Sequence, residues 1–257
     1  MDQLFIWREY MKNNPSIKNK KDAIIDYLTK NNLNISSVKY NNNCIINQKD
    51  KLIFLWSLRS ASAVVCQVAF ESMGILDGAL KFNPFVHKYR KNVYLKNAIN
   101  IKDVIYDSNY RVIKVVRNPY ARAVSLLRIA HRYGIDCSFH ELMKMLTEKK
   151  IKIHNVLGHC KHQYLQNEEM YIDYYIKIEN PATEKIYEDT SIKLNFDKKS
   201  LHHTTKINYT EPIFIGNTKY KLIKQMPTDY KLFYNDEIKK LVEELYEIDI
   251  IKYNYSF

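Results

Sequence analysis

The stretch Arg111-Val112-Ile113-Lys114-Val115-Val116-Arg117-Asn118-Pro119-Tyr120-Ala121-Arg122-Ala123-Val124-Ser125 reads as a strand that gives way to a helix within two residues. The strand ends at Val116. Asn118 has the side chain of an N-cap, and Pro119 suits the first helical position because its missing N–H is one a helix start leaves unpaired anyway. The helix is predicted to run to about Tyr133. The same order of events occurs upstream. Leu52-Ile53-Phe54-Leu55-Trp56 is a continuous apolar run, the pattern of a strand buried on both faces. A turn, Ser57-Leu58-Arg59-Ser60-Ala61-Ser62, leads into a helical segment over residues 63–73 that stops at Gly74.

Outward from these two units, residues 139–148 and 235–247 read as helices and residues 171–178 as a strand. A further strand is expected to end near His87. Strands alternating with helices predict an α/β fold with a mostly parallel sheet and helices on both faces. Residues 1–50 are polar, with helical patterns near 3–11 and 21–31, and are expected to form a small helical extension before a domain spanning 51–257. No internal repeat is found.

The chain has 257 residues and a formal net charge of +12. Its charge is concentrated: residues 81–132 hold 12 Lys and Arg against two acids, whereas residues 228–257 hold 4 against 7. A positive block of this kind attracts phosphates, acidic glycans, nucleic acid or anionic membranes. The four cysteines, Cys44, Cys66, Cys137 and Cys160, are widely spaced and read as reduced thiols. No apolar run approaches the ~20 residues of a membrane span, and the N-terminus lacks a signal-peptide layout, so a cytoplasmic location is expected.

Both strand-to-helix turns carry chemistry suited to anions. In the first, small residues let the backbone approach a ligand at a helix start, Arg59 adds a cation, and Ser60 and Ser62 add hydroxyl donors. The turn lacks the Gly-x-x-x-x-Gly-Lys-Ser/Thr pattern of nucleoside triphosphatases. In the second, Arg117 offers a planar fork matched to phosphate oxygens, and Ser125 lies about two helical turns further on. Arg122 on its own reads equally as a surface arginine. Two anion sites suit a nucleotide with phosphates at both ends of its ribose.

The pair Arg59-Ser60-Ala61-Ser62 and Arg117-x-Pro119-x-x-Arg122-x-x-Ser125 resembles the two nucleotide-binding motifs of sulfotransferases that use 3′-phosphoadenosine 5′-phosphosulfate (PAPS), the Golgi carbohydrate sulfotransferases in particular. His159-x-x-x-Gln163, Tyr171-Ile172-Asp173, Lys177-Ile178-Glu179-Asn180, His203 with Asn208, and Tyr246-Glu247-Ile248-Asp249 resemble that family's later landmarks in the same order. The resemblance implies a P-loop-like α/β fold. It assigns the 5′-phosphosulfate to Arg59, Ser60, Ala61, Ser62 and Ala63, and the 3′-phosphate to Arg117 and Ser125. His202, His203 and Lys206 are expected near the nucleotide or the acceptor. Arg59 stands where many members carry Lys, and Ala63 where many carry a hydroxyl.

Sulfuryl transfer is an in-line displacement that needs cations near the leaving oxygen and a base for the acceptor hydroxyl; it requires no metal. Arg59 is the candidate for the leaving oxygen. His87 is the first candidate for the base and Glu71 the second. His159, Cys160 and His162 have poor spacing for tetrahedral zinc. The expected acceptor is a hydroxyl, on a carbohydrate that is itself anionic. Three other readings remain: a basic nucleic-acid-binding protein with tyrosines for stacking, a catalytically degenerate PAPS-binding protein, and a nucleotide kinase, which the missing Walker lysine disfavours.

Overall fold

A computed structural model describes residues 43–105, 107, 109–197 and 213–257. In chain order these form β1 (Cys44–Asn47), β2 (Leu52–Trp56), α1 (Ser62–Ser72), α2 (Leu76–Phe82), α3 (Val86–Tyr89), α4 (Ile101–Val104), β3 (Arg111–Val116), α5 (Pro119–Arg132), α6 (Phe139–Thr147), α7 (His154–Cys160), β4 (Tyr174–Lys177), α8 (Glu184–Thr190) and α9 (Asp236–Lys252), with short π and 3₁₀ turns between. The chain divides into two compact units. One holds residues 43–57, 61–116 and 165–197; the other holds 58–60, 117–164 and 213–257.

The first unit is built on a four-stranded sheet ordered β1-β2-β3-β4. β1 runs antiparallel to β2 (Cys44 opposite Leu55); β2–β3 and β3–β4 are parallel (Phe54 opposite Ile113, Val115 opposite Ile176). The unbroken apolar run of β2 has its cause here, because both faces are covered. Leu52, Phe54 and Trp56 pack with Val65, Phe70, Ala79 and Val86, while Ile53 and Leu55 pack with Ile101, Ile105, Tyr110 and Tyr171. Phe54 has no exposed surface, and truncating such a residue to Ala typically costs about 3–5 kcal/mol. Lys114, the polar residue inside β3, is fully buried and ion-paired with buried Glu168. Removing one partner would leave the other charge uncompensated.

The second unit is a helical cluster. Leu126, Leu127 and Ala130 of α5, Phe139, Leu142 and Met143 of α6, and Ile238, Val242 and Tyr246 of α9 form its core. The starts of α5, α6 and α9 are capped by side chains. Asn118 accepts from the N–H groups of Tyr120 and Ala121, Ser138 and Glu141 form a reciprocal capping box, and Asn235 accepts from Ile238.

The structure changes two expectations. The sheet begins at Cys44 rather than after residue 50, because Cys44-Ile45-Ile46 is a short buried strand lying between polar flanks; residues 1–42, with the two expected N-terminal helices, lie outside the described residues. No strand ends at His87: the Asn83 side chain accepts from the Phe85 N–H and turns the chain into α3.

Candidate anion-binding site

The loop between β2 and α1 bends through two left-handed residues, Arg59 (φ 71°) and Ala61 (φ 55°). Neither is glycine, and a residue with a Cβ pays roughly 1–2 kcal/mol in this conformation. Such strain persists only where its surroundings over-determine it, and it concentrates at functional sites. Ala61 is also the N-cap of α1, and no side chain caps that helix.

Within the second unit, the side chains that precede and follow α5's start converge on Arg59. The Arg59 Nε donates to Ser125 Oγ at 3.0 Å, and Ser125 in turn donates to the Arg122 carbonyl. An Arg117 Nη donates to the Arg59 carbonyl at 3.2 Å. Ser60 is fully buried and donates to Gln163 Oε1 at 2.5 Å, while the same oxygen accepts the Arg117 N–H at 2.9 Å and Gln163 Nε2 donates to the Arg117 carbonyl. Gln163 therefore pins Ser60 and the Arg117 peptide together. Asp249 holds Gln163 in place by accepting its N–H and that of Tyr164.

Arg122 is not a surface residue. It is 1% exposed. Its guanidinium donates to the carbonyls of Leu58, His159 and Lys161, lies 3.8 Å from Asp249, and stacks over the Tyr246 ring. Its charge is spent on fixing the loops.

The remaining arginines are concentrated. Ser125, Arg128 and Arg132 are spaced i, i+3, i+7 and share one face of α5. Burial first, and then repulsion from Arg117, Arg128, Arg132 and Arg122, pushes the Arg59 guanidinium down to about 10. Burial and repulsion from Arg59, Arg122 and Arg132 likewise hold His159 below the usual imidazole range. A bound anion would relieve this repulsion. Arg128 and Arg132 were not singled out from the sequence, although their spacing from Ser125 carries the signal.

In the first unit, Ser62 opens α1, with Ala63 next to it. His87 Nε2 lies 3.1 Å from Ser62 Oγ, and His87 Nδ1 lies 3.7 Å from Cys66 Sγ. Glu71 is not brought to Ser62. It is exposed in the last turn of α1, nine residues on and about 13 Å away by helical rise, which argues against it as base. Lys206, His202, His203 and Asn208 lie outside the described residues.

The downstream landmarks prove to be mainly supports. Asp173 accepts the Val112 N–H and donates its own to the Val112 carbonyl, aligning β4 beside β3. Burial lifts the Cys160 thiol to about 11, and His162 meets the Tyr246 ring edge-on. Among the described residues no group of three or more His, Cys, Asp or Glu could hold a metal ion, and no helix is long and apolar enough to cross a membrane. Compared with known proteins, the chain matches no family model, no curated protein and no solved structure.

Proposed function

We propose that the chain is a P-loop-like sulfotransferase that moves a sulfuryl group from PAPS to an acceptor hydroxyl. The observation that carries this reading is the linkage of Arg59 to Ser125 and of Arg117 to the Arg59 carbonyl, with Arg128 and Arg132 on the Ser125 face of α5; burial first, and then repulsion among these arginines, lowers Arg59. That cluster includes the residues the motif resemblance assigns to the two ends of the nucleotide. Arg117 and Ser125 would take the 3′-phosphate. Arg59, Ser60, Ala61, Ser62 and Ala63 would take the 5′-phosphosulfate, with Lys206 near the nucleotide. Bound there, PAPS supplies the sulfuryl group. Arg59 answers the negative charge that grows on the leaving 5′-phosphate oxygen as the S–O bond breaks, and no metal is needed for that role. The acceptor oxygen forms the new bond and gives up its proton, for which His87 is the candidate base. Exposed Lys81, Lys88, Lys91 and Lys96 of the first unit suit an anionic carbohydrate acceptor.

A PAPS-binding protein without turnover is the second reading. It is favoured by His87, whose two ring nitrogens already lie near Ser62 and Cys66.

Two measurements test the proposal. Incubation with PAPS and a panel of polysaccharides should release 3′-phosphoadenosine 5′-phosphate and sulfate a hydroxyl; nucleotide binding without release selects the second reading. Arg117→Ala should weaken 3′-phosphoadenosine 5′-phosphate by about tenfold or more, the loss of a charge-assisted contact, and leave AMP nearly unchanged. Equal losses for both would remove Arg117 from the 3′-phosphate role. Strong salt-dependent binding of oligonucleotides, with no preference for the 3′-phosphorylated nucleotide, would replace both readings with a nucleic-acid one.

A further inference from the structure

Ser62 and Cys66 are four residues apart in α1 and so project from one helix face. His87, on α3, bridges them, with Nε2 at 3.1 Å from Ser62 Oγ and Nδ1 at 3.7 Å from Cys66 Sγ. The Phe85 ring meets the imidazole edge-on, 5.1 Å away at 76°, and restrains its plane. Cys66 has no exposed surface.

We propose that Cys66 and His87 form a relay that sets the direction of the Ser62 hydroxyl, turning its proton toward an anion at the start of α1. The direction follows from counting protons. Burial lifts the Cys66 thiol to about 12, with only Arg90 opposing, so the sulfur keeps its hydrogen. A thiol that donates to Nδ1 leaves the neutral imidazole with its one proton on Nε2. That N–H donates to Ser62 Oγ, and the hydroxyl hydrogen is then left to donate elsewhere. At the start of α1 the acceptor we assign to it is an anionic oxygen of the phosphosulfate. The inference rests on the sulfotransferase reading for the identity of that anion. It gives His87 a positioning role at Ser62 in the free protein. Cys66 and His87 are positioning residues, and Ser62 is the contact.

The test has two parts. In the free protein, ¹⁵N-histidine NMR, with the His87 resonances assigned by their loss in His87→Gln, should show the Nε2–H tautomer. The Nδ1–H tautomer overturns the relay. In the second part, titration with 3′-phosphoadenosine 5′-phosphate should show His87→Ala and Ser62→Ala each about tenfold weaker, the size of one lost hydrogen bond to a charged group, and the double variant no weaker than either. His87→Gln puts an N–H donor where Nε2 stands, so it should keep wild-type affinity for the nucleotide. If His87→Gln and His87→Ala both bind normally but lose turnover, His87 is the base and the relay is wrong. Additive losses in the double variant also overturn it. If the wild type shows no affinity for the nucleotide, the sulfotransferase reading falls, and the tautomer alone decides the relay.

Discussion

The two strand-to-helix turns look alike in the sequence and are finished in opposite ways. The turn into α5 is closed. Asn118 accepts from Tyr120 and Ala121, and Gln163 brackets the Arg117 peptide through both its N–H and its carbonyl. The turn into α1 is open. Its N-cap is a left-handed Ala61 with no capping side chain. A helix start exposes N–H groups that some acceptor must satisfy. At α5 the Asn118 side chain supplies that acceptor. At α1 no side chain does, and under the proposed function the phosphosulfate would. Strand-turn-helix periodicity alone does not mark an anion site. The capping residue separates the two turns: Asn118 caps α5, and no side chain caps α1.

The sharpest way to break the closed turn is from below. Asp249→Ala removes the acceptor of the Gln163 and Tyr164 N–H groups and leaves Arg122 buried without its carboxylate. It should cost about 3–5 kcal/mol in denaturant unfolding; a loss under about 1 kcal/mol would mean the clasp does not shape the turn. Asn118→Ala removes the cap itself and should cost about 1 kcal/mol. It should leave the preference for a 3′-phosphorylated over an unphosphorylated ribose unchanged, and a changed preference would place the α5 start in the ligand contact. Ala61→Gly addresses the open turn and should have the smallest effect. Relief of the left-handed strain, offset by the freer unfolded chain, should raise stability by no more than about 1 kcal/mol. Marked destabilisation would show that the Ala61 methyl is needed where it stands.

The strands and helices that carry the two turns were legible because their signals are local. The five apolar residues of β2 and the Asn118-Pro119 start of α5 each state their structure within a few positions. β1 was not legible: four residues between Asn-rich flanks are too short to show a period. Nor was the turn after Asn83, where a side chain accepting the Phe85 N–H overrides the expected strand. The arginine site was half legible. Arg59, Arg117 and Ser125 stand in their motifs, but Arg122 has the same sequence appearance as they do and serves instead to hold carbonyls. Its partners, Leu58, His159, Lys161 and Asp249, are up to 127 positions away in the chain, and no local pattern reports them. The Ser62–His87–Cys66 contact likewise depends on where α3 packs against α1.

The most direct measurement is thermal unfolding of the full chain with 3′-phosphoadenosine 5′-phosphate beside AMP and ATP at equal concentration, since a ligand that binds only the folded state raises Tm according to its concentration over Kd. A clear rise is expected with the 3′-phosphorylated nucleotide and much smaller ones with AMP and ATP. Equal shifts with all three, or none with any, would contradict it.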